Sequence, residues 1–540
     1  SANLTLTTSF GAREFEVDAG KIITPGANAL TIDNLLTLKS DATGTAMIGQ
    51  ATTSNYLTNN VLAERYISNK RAWRLLGIPY SSSLVTIQQT WMESFSNSQP
   101  GYGTQITTYS GDPNAANFDG QKPASSIRTY SADNFNSDAA HTPNTTNNIA
   151  SNQAYFLFVR GDRTVDRTTS GSPTSATTLR TYGFVNMGNV IKGVTGTGFS
   201  LIPNPYPSDV DFDKIKAIAA NSSISTFYVW DPNLGTVGQY RSIQITGTSP
   251  NYTYTATPGS QDNNWRFIET GTAFMIPGNS TMSFTEATKS AGTPPSSMFR
   301  TAAGKETELA VNLYSVNGTT TALADGIREV FDNNYAAAID KDDAKKISGF
   351  EMNFGIASNN EVLAIEKRPM PNANDVIALK LWNTAAGNYQ FEMQPSNFSS
   401  QTLFAYLQDN YLNTKTPIDL NGTTVINFTI TSAAASSAEN RFSIVFTKSA
   451  LFNLNTTPSI VVYPNPVQNG MVTLQMNNMP KGIYNVRLVN SFGQTIVSKQ
   501  INHAEGTSTE TFGVNKVKGS YLLEVTKPDN SKSTNKLIIN

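Results

Sequence analysis

The sequence predicts an all-β protein, with a short β-solenoid-like segment first, tandem β-sandwich modules in the middle and an immunoglobulin-like β-sandwich last. Three observations predict it. Thr, Ser, Asn and Gly fill places that Lys, Glu and Ala would take in a helical chain, and those residues favour strands and turns. Apolar residues alternate with polar ones over short runs bounded by Gly, Pro, Asn and Asp. Cysteine is absent, which removes thiol catalysis, thiolate metal sites and disulfide staples, so packed sheets must supply the stability.

Length and charge set the other limits. A chain of 540 residues divides into about three to five units at ~100 to 200 residues each. Lys and Arg number 39 against 40 Asp and Glu, and only 15% of residues are charged. Such a balance offers no basic face for nucleic acid or anionic lipid. No apolar run approaches the ~20 residues of a membrane-spanning helix; the densest stretch is Tyr155 to Val159. The opening Ser1-Ala2-Asn3-Leu4 lacks the charged and apolar regions of a signal peptide. The expectation is a mature product or, in preference, a fragment of a longer chain.

Residues 1–60 hold the short alternating pieces Leu4-Thr5-Leu6, Phe15-Glu16-Val17, Leu30-Thr31-Ile32 and Leu36-Thr37-Leu38. They read as rungs of a small solenoid whose upstream rungs are missing, or as an edge hairpin packed on the next domain. Residues 61–297 carry Trp73, Trp91, Trp230 and Trp265 in or beside strand-like runs and read as one large sandwich with long loops. Within it, Gly198-Phe199-Ser200-Leu201-Ile202-Pro203-Asn204-Pro205-Tyr206-Pro207-Ser208 resembles a signature of large surface proteins of the Bacteroidota. Ala291 to Ser297 is the expected linker to a second sandwich, residues 298–450. Its strands are expected over Leu309–Tyr314, Val362–Ile365, Tyr389–Met393, Thr402–Leu407, Thr424–Ile430 and Phe442–Phe446. Residues 451–458 read as a polar joint.

The last unit, 459–540, carries the most specific signal. Val472, Leu474 and Met476 alternate with polar residues, as do Tyr484, Val486 and Leu488, and Tyr521, Leu523 and Val525. These are half-buried antiparallel strands of a seven-strand sandwich. Asn490 to Gly493 supplies a type I turn ending in a Gly free to take positive φ. Pro464 and Pro466 cannot donate to a ladder, so the first strand is expected to end there. Tyr463-Pro464-Asn465-Pro466, Gly482 with Tyr484, Asn490 to Gly493, Gly519 with Tyr521, and the terminal Lys536-Leu537-Ile538-Ile539 fall in the order of a type A sorting domain of the type IX secretion system, which this segment resembles.

That resemblance implies an exported Bacteroidota cargo protein, found at the cell surface or secreted. It implies as partners an outer-membrane translocon barrel, its shuttle protein and a sortase-like protease. The residues it assigns to recognition are Tyr463, Pro464, Asn465, Pro466, Gly482, Tyr484, Gly493, Gly519, Tyr521, Lys536, Leu537, Ile538 and Ile539. The tail carries Lys481, Arg487, Lys499, Lys516, Lys518, Lys527, Lys532 and Lys536 against Glu505, Glu510, Glu524 and Asp529, or 8 − 4 = +4. That excess suits an acidic docking surface or is an ordinary soluble face.

Nothing in the remaining motifs points to catalysis, a metal or a cofactor. Only His141 and His503 exist, too few for a triad or a histidine zinc site. Gly304-Lys305-Glu306 lacks the Ser or Thr of a phosphate loop, and Gly193 to Gly198 precedes a strand and reads as a turn. Asp209, Asp211 and Asp213 alternate, but Phe212, Ile215 and Ile218 recur at helical spacing, so Asp211 is expected to cap a short helix, with calcium the alternative. Asp332, Asp340, Asp342 and Asp343 lack EF-hand spacing and read as loop acids, with calcium the alternative. Trp91, Tyr102, Tyr109 and Trp230 lie near loops where rings can stack on a glycan, although core packing is the commoner use. The expected cargo is an adhesin or ligand-binding surface protein, with gliding motility a natural context; the rival is a secreted polysaccharide-degrading enzyme.

Overall fold

A computed structural model describes residues 3–52, 57–58, 60–151, 153–167, 174–290, 306–398, 403–447, 459–468, 470–504, 506–514 and 518–539. Over these the chain is all-β, and the one α-helix among them is the short Phe212–Lys216.

The first strands stack in parallel. Leu4 lies beside Ile23, and Ile23 beside Ile48. The Phe10–Val17 strand runs parallel to Leu30–Leu38, which runs parallel to Val61–Ile67 through Leu36↔Val61. Parallel stacking makes these strands solenoid rungs, because a hairpin pairs antiparallel. The expected division at 60/61 falls inside this packing. Val61–Ile67 also pairs with Thr177–Val185, and one core holds Leu30, Ile32 and Val61 together with Trp91, Leu157 and Leu179. A rung cannot cover its own apolar face, and here the following module covers it.

Residues 61–290 form a stack of layers rather than the single sandwich expected. Ala72–Gly77, Ala154–Val159 and Ile127–Thr129 make an antiparallel sheet buried on both faces. Tyr155 and Leu157 point into the solenoid core, while Phe156 joins Trp73, Tyr228 and Trp230 in a second core. The next sheet contains Phe199–Pro203, Ala273–Pro277, Thr226–Asp231, Gln239–Thr248 and Asn251–Thr257. Leu201 and Met275 face the second core; Ile202, Phe227 and Phe274 face a third, closed by Phe212 and Ile215 of the helix. A strand with two buried faces reads as an unbroken apolar run, which is why Tyr155 to Val159 is so dense.

Residues 306–447 build one long sheet folded over on itself. Its two end strands, Thr414–Ile418 and Thr424–Ile430, contribute Ile418 and Phe428 to one core with Leu309, Phe354 and Ile444. The strands expected here fall within observed strands, except that the one expected from Thr402 begins at Phe404; Thr402 lies outside the described residues, as does the expected linker 291–297. This sheet is docked on the stack before it. The Phe350 ring sits 4.7 Å from that of Trp73 and 5.2 Å from that of Phe156. Arg328 Nε donates to the Thr257 hydroxyl at 3.2 Å, and Glu351 accepts the Thr236 amide at 2.8 Å.

Candidate functional site: the C-terminal sandwich

Seven strands between Ser459 and Ile539 form a sandwich with its own core of Val472, Leu474, Tyr484, Val486, Leu523, Val525, Leu537 and Ile539, among others. Alternation puts these side chains inward and their neighbours outward. The prolines do not end the first strand. Ser459–Gln468 pairs antiparallel with Met471–Met479 up to Tyr463↔Thr473 and again at Gln468↔Met471; between these it leaves that partner, and Val467 lies parallel to Ile539 of the last strand. A strand that changes sheets closes a corner of a sandwich.

Asn465 makes the change possible. Neither Pro464 nor Pro466 has an N–H to donate, so the Asn465 side chain takes over the pairing. Its Nδ2 donates to the Lys536 carbonyl at 2.8 Å, and its Oδ1 accepts the Ile538 amide at 2.9 Å. The last strand, Lys532–Ile539, is thus held by a full antiparallel ladder to Gly519–Thr526 on one side and by Asn465 and Val467 on the other.

The other sequence-predicted residues support this frame. Tyr484 is buried, donates its hydroxyl to the Pro480 carbonyl at 2.8 Å and stands edge-on to His503. A Cβ on Gly482 would meet Pro528 Cγ at 2.4 Å, so only glycine lets the two segments approach. Gly493 has φ +79° and closes the expected turn, its amide donating to the Asn490 carbonyl at 3.0 Å. Gly519 opens the strand that carries the buried Tyr521. Burial pushes the Tyr463 phenol up to about 12. Leu537 and Ile539 are inward, while Lys536 and Ile538 are outward.

Five large apolar side chains among the described residues of this domain point to solvent: Phe492, which is 88% exposed, and the less exposed Val461, Ile483, Leu522 and Ile538. Leu522 pairs with Val489 and with Lys536, and Ile538 with Ser520, so Leu522 and Ile538 are diagonal neighbours on one outward face. Phe492 projects from the turn that follows Val489, at the same end. Further along that face Glu524 meets Arg487 at 3.4 Å and Lys532 at 3.7 Å. The sequence alone does not single out Phe492 or Leu522. The available signal was a large apolar residue inside a polar turn, where no core can use it.

The remaining candidates are tied up structurally. His141 Nδ1 lies 2.6 Å from Asp138 Oδ1 and Nε2 lies 3.1 Å from the Ser131 carbonyl oxygen; His503 Nδ1 lies 2.8 Å from the Ser508 hydroxyl. Asp211 caps the Phe212–Lys216 helix by accepting the Asp213 amide at 3.1 Å, as expected, and Arg266 reaches both carboxylates, at 3.3 and 2.8 Å. The amides of Thr197, Gly198 and Phe199 at the glycine-rich turn all donate to Asp133. Against the opposing effect of burial, the Thr197 hydroxyl, the Phe199 and Gly198 amides and the Tyr130 hydroxyl hold the Asp133 carboxyl below its usual range. Asp332, Asp340 and Asp343 accept backbone amides of Asn334, Asp342 and Lys367, and Asp342 pairs with Lys341. Gly304 and Lys305 lie outside the described residues. Trp91 and Trp230 are core residues; Tyr102 and Tyr109 are half-buried, the former beneath the Arg180 guanidinium.

Comparison with known families gives two matches. Residues 114–446 match a family described as Domain of unknown function (DUF8693), and residues 461–540 match one described as Secretion system C-terminal sorting domain. Among curated proteins nothing matches. The first match runs across both the layered stack and the folded-over sheet, the two parts joined by Phe350 and Arg328.

Proposed function

The chain belongs to the DUF8693 family and is a type IX secretion cargo, exported through the outer membrane to the cell surface or beyond, and on that premise we propose how its tail is read and what its cargo does. The sorting signal is a folded surface: the outward face of the last strand and its neighbours, with Leu522, Ile538 and Phe492 as the apolar contact for the shuttle and translocon. The observation that carries this is Asn465, which spends its side chain on the backbone of the final strand and so makes that strand's position depend on the Tyr463 to Pro466 motif. Lysines around the patch suit an acidic partner. Removal by a sortase-like protease would part the domain from its cargo between Thr447 and Ser459.

The cargo acts as a ligand-binding surface protein of adhesin type, with gliding motility as its context. What supports binding over catalysis is that both histidines and the aspartate clusters are engaged in caps, turns and ion pairs, as described above. A glycan array run beside an activity screen on the purified chain tests it: binding without turnover is expected, and turnover of any polysaccharide would replace this reading with the degrading enzyme. For the tail, residues 459–540 fused to a periplasmic reporter should carry it out of the cell; a fusion carrying Phe492→Ser and Leu522→Ser should stay folded and be exported poorly.

A further inference from the structure

The sheet between the first two cores ends in arginines that form no ion pair with a carboxylate among the described residues. Ala72↔Val159 is the last pair of the ladder joining Ala72–Gly77 to Ala154–Val159, and the next residue on each strand is Arg71 and Arg160. Like charges in register are unfavourable unless something neutralises them. Arg160 is only 8% exposed, and its hydrogen bonds to the Gln105 carbonyl and Thr107 hydroxyl are long, at 3.4 and 3.5 Å. Arg71 Nη1 is buried and has no hydrogen-bond partner among the described residues. Arg167, which lies over Gly120, and Arg71 are close enough to press the Arg160 pKa down further, to about 10, after burial itself. Asp119, the acid that opposes this at Arg160, is already held by Arg163 at 2.7 and 3.1 Å.

Aromatic rings flank these cations on the same face. Phe158 lies under the Arg160 guanidinium at 5.0 Å, and the neighbouring Trp73 lies under Arg128 at 4.6 Å. Arg128 likewise has no carboxylate partner among the described residues; it donates to the carbonyls of Ser125 and Phe135. Keeping such charges together without an acid costs stability, and a buried donor with no acceptor costs more. A planar guanidinium fork suits a carboxylate or sulfate, and a ring beside it suits the C–H face of a sugar.

We propose that Arg71 and Arg160, flanked by Phe158, form a binding site for the anionic group of an acidic polysaccharide, a uronate carboxylate or a sulfate ester. This rests on the ligand-binding reading of the cargo and gives that ligand its chemical class. An exported chain meets such polymers, and its even overall charge makes a local cluster, rather than a global field, the means of attraction.

Affinity electrophoresis of the full chain through polygalacturonate, dextran sulfate and neutral dextran, at about 0.1 M salt where long-range attraction is screened, tests the site. Retardation by a charged polymer and not by dextran is expected, and which polymer retards identifies carboxylate or sulfate. Arg71→Gln and Arg160→Gln should each weaken it about ten-fold or more, and Arg71→Lys, which keeps the charge and loses the fork, should weaken it less. If Arg160→Gln abolishes the thermal transition, Arg71→Gln, the more exposed of the two, decides. Unchanged retardation of a folded Arg71→Gln chain overturns the proposal, as does no retardation by either charged polymer. In the latter case a neutral glycan bound on the array would leave the ligand-binding reading standing, and binding to nothing would remove both.

Discussion

Two Asn–Pro turns in this molecule solve the same problem in different surroundings. In Asn204-Pro205-Tyr206-Pro207 the asparagine is fully buried; its Nδ2 donates to the carbonyls of Ser208 and Ile268, both at 3.0 Å, and its Oδ1 accepts the Tyr206 amide at 3.1 Å. In Tyr463-Pro464-Asn465-Pro466 the asparagine is exposed and makes one such bond in each direction, both to the final strand. In each, a side-chain amide replaces the backbone donors that proline lacks. The first turn has become part of the core. The second keeps a strand in place at an exposed edge, and under the proposed reading its modest energetic weight goes with a large functional one.

The comparison breaks most readily at the last strand. Deleting Lys536 to Asn540 removes Leu537 and Ile539, each worth ~1.5 to 3 kcal/mol of burial, from a sandwich with on the order of 5 to 10 kcal/mol to spare. Calorimetry of the full chain should show the sorting domain's transition lost while the cargo transition stays. Next, Asn204→Ala leaves several buried carbonyls and an amide without partners and should cost the cargo about 3 kcal/mol, read as a lowered denaturation midpoint. Asn465→Ala, exposed, should cost about 1 kcal/mol on the tail's transition alone. Equal effects at the two sites would end the distinction drawn between them.

A pH-dependent effect sharpens the buried turn. Burial, with Glu269 nearby, pushes the Asp209 carboxyl up to about 6, against ~3.9 in an unfolded chain. The folded state therefore holds this proton more tightly, and the stability it contributes, complete below about pH 4, is lost as pH rises through 6. Asp209→Asn, which keeps an oxygen for the Thr270 amide, should remove that slope and gain about 1 to 2 kcal/mol at pH 7. Thermal melts of both chains across that range would show it. Smallest in stability is Phe492→Ser: so exposed a ring should change the melting midpoint by less than ~0.5 kcal/mol, yet export should fall.

The tail was the most legible part of the sequence because its strands each bury one face. Inward Tyr484, Val486 and Leu488 alternate with outward residues, and the turn at Gly493 stands where its chemistry requires. What the motif does was less legible: Pro464 and Pro466 read as the end of a strand, since a side chain that reaches across to Lys536 and Ile538 has no local sequence signature. The cargo was harder still. Leu75 and Leu76, or Phe156 and Leu157, are neighbours that enter different cores, and period-2 reading has no pattern for a sheet buried on both faces. Phe350, in a loop far along the chain, gives no sign that it completes a cluster with Trp73. The unpaired arginines were invisible for the same reason, because an even charge balance conceals where the charges sit.

The most direct test of a folded sorting signal is the extracellular fraction of the chain lacking Lys536 to Asn540, measured by fractionating cells beside the unaltered chain and Lys536→Ala. The shortened chain should collect in the periplasm although Tyr463 to Pro466 remain, while Lys536→Ala, which leaves the carbonyl that binds Asn465 in place, should be exported nearly as well as the unaltered chain. Full export of the shortened chain would show that a linear motif suffices and that the last strand has no part in recognition.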